Sequence, residues 1–176
     1  MNKNVLFLDF DGVVNLLSSW KGTRKPENVE GKESTYLKGY HIVWNPEVVT
    51  LLNDIHESDN GVDVVWLTDW QQVEGGFEEM KEKLDLGPFK ESTVPGIDEV
   101  RIGGWWKFPA RTKYIKEHEL ERSVWIDDNC PHSPEEAHKM EHLDPEVGIT
   151  VEKLEKIVLY LAEGIDYHTE GDTVEA

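Results

Sequence analysis

Val5-Leu6-Phe7-Leu8 is an unbroken apolar run that ends in Asp9-Phe10-Asp11-Gly12. Such a run, apolar without alternation, predicts a central strand over residues 4–10, buried on both faces. Carboxylates at the end of a buried strand are costly unless they are paired or bind a cation. In extended backbone, residues i and i+2 point to the same side, so Asp9 and Asp11 can face one point. Two converging carboxylates plus a hard cation such as Mg²⁺ make a phosphate-handling site. Taken alone, the pair reads equally well as two turn residues ending a strand.

The rest of the chain repeats the pattern. Val62 to Leu67 reads as a second buried strand running into Thr68-Asp69-Trp70. Ser123 to Ile126 reads as a third, ending in Asp127-Asp128. Helical segments alternate with these strands. Asn45 caps a helix with Pro46 at its first position and Val48, Val49, Leu51, Leu52 and Ile55 on one face. Residues 71–85 read as helix weakened by Gly75-Gly76, and Gly87-Pro88 ends that segment. A short strand is expected near Val100 to Ile102, and a helix from Pro109 or Ala110 to about Leu120. Ser133-Pro134-Glu135-Glu136 has the form of a capped helix start. Thr150 caps a last amphipathic helix bearing Val151, Leu154, Ile157, Val158 and Leu161. The alternation predicts an α/β domain with a largely parallel sheet. Right-handed crossovers then bring the three acidic strand ends to one edge, where ligands of open α/β sheets bind.

A length of 176 residues suits a single domain, expected over residues 1–163. Residues 15–42 read as a loop or hairpin with a strand in Tyr36 to Val43, forming a flap or minimal cap. Residues 164–176 read as an acidic, flexible tail. The net charge of −18 argues against broad nucleic-acid binding, whose affinity comes mainly from Lys and Arg neutralising phosphates. It leaves room for local basic patches: Lys21, Arg24, Lys25, Lys32 and Lys38 in one stretch, and Lys107, Arg111, Lys113, Lys116 and Arg122 in another. No apolar run approaches the roughly 20 residues of a membrane span. With Cys130 as the one cysteine, no intrachain disulfide can form, and a cytoplasmic location is expected.

In order, the signals are FLDFDGVV, VVWLTDW, WWKFPARTK and VWIDDN. Together they resemble the haloacid dehalogenase-like (HAD) superfamily of aspartate-nucleophile phosphohydrolases, over roughly residues 4–130. D-x-D-G-V, V-W-L-T-x-W, W-K-x-P-A and W-I-D-D further resemble a small phage and actinobacterial branch associated with RNA-repair proteins. The resemblance implies a Rossmann-like three-layer sandwich and a Mg²⁺-dependent phosphatase. It makes Asp9 the nucleophile, Asp11 the general acid and base, Thr68 a donor to phosphoryl oxygens and Lys107 the positive charge beside them. Asp9, the backbone carbonyl of Asp11, Asp128 and Asp127 would form the metal site. Gly12, Asp69, Trp70 and Lys113 are candidates for substrate contact. Lys113 competes with Lys107 as the family's lysine, and Asp127 competes with Asp128 as the direct metal ligand.

The expected substrate is a phosphorylated small molecule such as a nucleotide. Alternatives are a 3′-phosphate at a nucleic-acid end, or a non-catalytic module that only binds phosphate and Mg²⁺. No membrane and no obligate protein partner are implied. Trp66 and Trp125 lie inside apolar strands and read as core. Trp105 and Trp106 precede Lys107 and could line the entrance. His138 and His142 stand four apart on the expected helix, without the H-E-x-x-H pattern, and read as exposed polar residues rather than metal ligands. Cys130 reads as a small filler.

Overall fold

The computed structural model of the chain describes residues 3–17, 31–94, 106–133 and 137–167. Among them, five strands form one parallel sheet: β1 (Asn4–Leu8), β4 (Val62–Trp66), β5 (Lys90–Glu91), β6 (Arg122–Asp127) and β7 (His138–His142). Their order is β5-β4-β1-β6-β7. β1 lies at the centre, with Leu8 level with Trp66 on one side and Ile126 on the other. The fold is α/β and Rossmann-like, as expected.

Period-two alternation sends each strand's side chains to two cores. Leu6, Leu8, Val64, Trp66, Val124 and Ile126 join one core. Val5, Phe7, Val65, Leu67 and Trp125 join the other. Helix α1 (Pro46–Glu57) buries Val48, Val49, Leu52 and Ile55 in the first core. Helix α4 (Val151–Glu163) adds Leu154, Ile157, Tyr160 and Leu161 to it. Helix α3 (Lys107–Glu117) covers the second core with Ala110 and Tyr114. Each large apolar side chain so buried contributes about 1.5–3 kcal/mol before chain entropy is subtracted.

Local chemistry sets the element ends. Asn45 Oδ1 accepts the Glu47 N–H at 3.1 Å at the start of α1. Thr150 Oγ1 accepts the Lys153 N–H at 3.2 Å at the start of α4. The expected helix over 71–85 is instead a 3₁₀ turn, Asp69–Gln72, followed by helix α2 (Gly76–Leu84). Thr68 closes that turn through a reciprocal capping box with Gln71, so the backbone is committed before the longer helix can begin. The expected strand in Tyr36 to Val43 is a complete hairpin, β2 (Glu33–Leu37) and β3 (Tyr40–Trp44). Lys38 and Gly39 both have positive φ, as a two-residue hairpin turn requires. Helix α3 starts at Lys107, ahead of the expected Pro109. Proline is tolerated in a first turn, where no N–H partner is needed.

One expectation is overturned. His138 to His142 is strand β7, not helix, and pairs with β6 from Ser123 to Asp127. Alternation explains it: Met140 enters the core under α3, while Lys139 and Glu141 turn away from it. Both charged residues are buried and ion-paired. Lys139 lies over the Tyr160 ring at 4.8 Å and pairs with Asp166 at 3.5 Å. Glu141 meets Lys153 at 2.8 Å and accepts the Tyr167 hydroxyl at 2.7 Å. In a strand, His138 and His142 are roughly 13 Å apart, too far to share a metal. His142 Nδ1 instead lies 3.0 Å from the Cys130 carbonyl. Tyr167 and Asp166 therefore pack against β7 at the start of the expected tail, and residues 168–176 lie outside the described residues. So do Lys21, Arg24, Lys25 and the strand expected near Val100 to Ile102. No helix among the described residues is long and apolar enough to cross a membrane.

Candidate active site

The sheet places its polar ends together. β1 has β4 on one side and β6 on the other, so the crossovers leaving it diverge and open a crevice at its carboxyl end. Asp9 follows β1, Thr68 lies just past β4, and Asp127 closes β6. Lys107 opens α3 and spans them. Its Nζ donates to Asp9 Oδ2 at 2.7 Å and to Asp127 Oδ2 at 2.8 Å. The remaining oxygens are also held: Asp9 Oδ1 accepts the Phe10 N–H at 2.8 Å, and Asp127 Oδ1 accepts the Asn129 N–H at 2.7 Å.

Asp9, Asp127 and Asp128 each offer a carboxylate oxygen, all within 4.8 Å of one another. Asp9 and Asp127 are buried and Asp128 is half-buried. Three carboxylates therefore face one ammonium. Burial pushes the Asp9 carboxyl up, Lys107 pulls it back, Asp127 adds repulsion, and the balance leaves it at about 7. Asp128 is also raised, by burial and then by Asp127. Burial works against the charged Lys107, but Asp9 and Asp127 outweigh it and hold the ammonium above the ordinary lysine range. A donor set made only of carboxylate oxygens, carrying surplus negative charge, fits a hard divalent cation.

The Asp11 carboxylate does not belong to that cluster. Its Oδ1 accepts from Asn15 Nδ2 at 2.6 Å and its Oδ2 from Trp70 Nε1 at 2.9 Å. Asn15 had no signal in the sequence: it stands four residues past Asp11 in a loop, with no recurring pattern around it. Thr68 is buried near Asp9, whose carboxyl it helps to lower, and its hydroxyl accepts the Trp70 N–H at 3.4 Å. Gly12 has φ +72°, and its bare Cα lets the backbone pass beneath Asp128.

The other candidates fall around this centre. Asp69 is exposed and its Oδ1 accepts the Trp106 indole N–H at 2.7 Å, tying the turn after β4 to the start of α3. Trp70 is buried and spends its N–H on Asp11. Lys113 lies apart from the cluster, exposed on α3, 3.9 Å from Glu117. Lys107, not Lys113, is the lysine brought to the strand ends. Trp66 and Trp125 are core residues, and Cys130 is buried beneath Asp127.

Residues 5–154, a span holding every member of this constellation, match the family described as the HAD domain in Swiss Army Knife RNA repair proteins. The chain belongs to that family. As a HAD domain it is of phosphohydrolase type; such domains usually bind a divalent metal, and the aspartate cluster could hold one. Neither the curated proteins nor the solved structures contain a match to this HAD domain.

Proposed function

We propose that this HAD domain is a Mg²⁺-dependent phosphatase that hydrolyses a phosphomonoester through an aspartyl-phosphate on Asp9. The observation that carries the reading is the Lys107 ammonium, held 2.7 Å from Asp9 and 2.8 Å from Asp127. It keeps the nucleophile beside fixed positive charge in a water-poor site. An Asp9 oxygen attacks phosphorus while the bond to the leaving oxygen breaks, and Asp11 passes its proton to that oxygen. Asp11 then takes a proton from water, whose oxygen bonds to phosphorus and frees the Asp9 carboxylate and inorganic phosphate. Thr68 and Lys107 hold the phosphoryl oxygens through both steps. Asp9, Asp128, Asp127 and the Asp11 carbonyl would hold Mg²⁺, which supplies positive charge against the phosphoryl group.

The family's association with RNA repair favours a phosphorylated RNA end, a 3′-phosphate, over a free nucleotide. With a net charge of −18, such contact is local and salt-sensitive. We place the enzyme in the cytoplasm, where a single buried cysteine stays reduced.

The test is phosphate release from a 3′-phosphorylated oligoribonucleotide and from a mononucleotide, with Mg²⁺ or EDTA, by wild type and Asp9→Asn. Release that needs Mg²⁺ and Asp9 supports the phosphatase. Full activity in Asp9→Asn refutes it. Faster turnover of the mononucleotide makes the substrate a nucleotide. Tight phosphate binding without release identifies a binding module.

A further inference from the structure

Both oxygens of the Asp11 carboxylate are clamped, and both clamps are themselves braced. Asn15, 2% exposed, donates to Oδ1 while its own Oδ1 accepts the Val43 N–H at 3.1 Å. Trp70, 5% exposed, donates to Oδ2. Its ring meets Phe10 at 5.4 Å and Tyr40 at 6.1 Å, both near perpendicular. Val43 and Tyr40 belong to β3. The β2–β3 hairpin thus buttresses each donor that holds Asp11.

A carboxylate has about four lone-pair positions. One N–H on each oxygen fixes the carboxyl plane and leaves a position on each for a proton in transit. Proton transfer depends on that plane, because the donor must lie within hydrogen-bond reach of the leaving oxygen. We propose that Trp70 and Asn15 are positioning residues for Asp11, and that the β2–β3 hairpin holds both in place. This rests on the acid–base role given to Asp11 above. The dependence is greatest where the leaving oxygen is basic. An alkyl phosphate needs the proton as its P–O bond breaks, whereas a nitrophenyl phosphate can release a stable anion.

The experiment measures kcat for an alkyl phosphate and for p-nitrophenyl phosphate in wild type, Trp70→Phe, Asn15→Ala and Asp11→Asn. The alkyl-to-aryl ratio, taken on one preparation, does not depend on the folded fraction. It is expected to fall about tenfold in Trp70→Phe and in Asn15→Ala, a part of the larger fall in Asp11→Asn. An unchanged ratio in the first two variants beside a lowered one in Asp11→Asn overturns the positioning role alone. An unchanged ratio in Asp11→Asn overturns the acid role, and this proposal with it. A second readout needs no turnover: the Trp70 indole N–H resonance, assigned by its loss in Trp70→Phe, shifts in Asp11→Asn. Its failure to shift means that the clamp is absent.

Discussion

Gly12 passes so close to Asp128 that a Cβ on Gly12 would lie 2.5 Å from the Asp128 carboxyl carbon. The turn after β1 and the acidic end of β6 are therefore packed as one unit, though more than half the chain separates them. Gly12→Ala must displace Asp128 and also hold a side chain at positive φ. It is expected to lose roughly 2 kcal/mol of stability or more, and most of its Mg²⁺ response. Thermal melts with and without Mg²⁺ check both; a Gly12→Ala protein that melts like wild type would show that Asp128 is free to move.

Mg²⁺ is expected to bind the native cluster and to raise thermal stability. At about 100 times its dissociation constant the gain is about 2.7 kcal/mol, or roughly 5–10 °C for a domain of this size. EDTA reverses it, and Asp128→Asn removes most of it. A melting temperature indifferent to Mg²⁺ would count against a metal site at these three carboxylates.

Asp9 carries a pH dependence of its own in the metal-free protein. Its folded-state carboxyl is raised from 3.8 to about 7. A raised acid contributes stability below its unfolded value and loses it as pH climbs through the folded one. Asp9→Asn abolishes that loss while Lys107 stays paired with Asp127. In EDTA, the variant's melting temperature relative to wild type is therefore expected to be higher at pH 8 than at pH 5. An equal difference at both pH values would contradict the burial argument.

Lys107 and Lys113 separate sharply. Lys107→Met leaves buried Asp9 and Asp127 without their cation, costing about 3 kcal/mol and reducing turnover roughly 100-fold or more. Lys113→Ala removes only an exposed pair, and stability is expected to change by about 0.5 kcal/mol at most. Denaturant titration and phosphate release on the two variants decide between them.

Cys130 is 4% exposed, and burial, followed by the charges of Asp127 and Glu141, pushes its thiol up to about 12. At pH 8 the native protein is expected to resist iodoacetamide, while the denatured chain takes up one equivalent. Mass spectrometry before and after denaturation reads this directly.

The acidic strand ends were legible because their signals are local. The run Val5 to Leu8 reads as a doubly buried strand, and Asp9 and Asp127 stand where such strands end. The helix caps at Asn45 and Thr150 were legible for the same reason: a cap is made by residues two or three apart. Reading failed where the partner is distant. His138 to His142 carries a capped-helix prelude and helical histidine spacing, yet it pairs along β6 and buries Lys139 and Glu141 against α4 and Tyr167. No window of sequence contains those partners. The break at Thr68 to Gly75 was half visible, as two glycines, but the capping box with Gln71 was not anticipated.

The sequence by itself determined the sheet's three central strands, the edge on which they end and the aspartates waiting there, since burial and periodicity act over a few residues. The tertiary structure decided that Lys107 rather than Lys113 reaches Asp9, across 98 residues. It also decided that Asp11 is held by Asn15 and Trp70 under a hairpin. Those contacts depend on how crossovers return the chain to the central strand, and their hydrogen bonds exist only once the layers have packed.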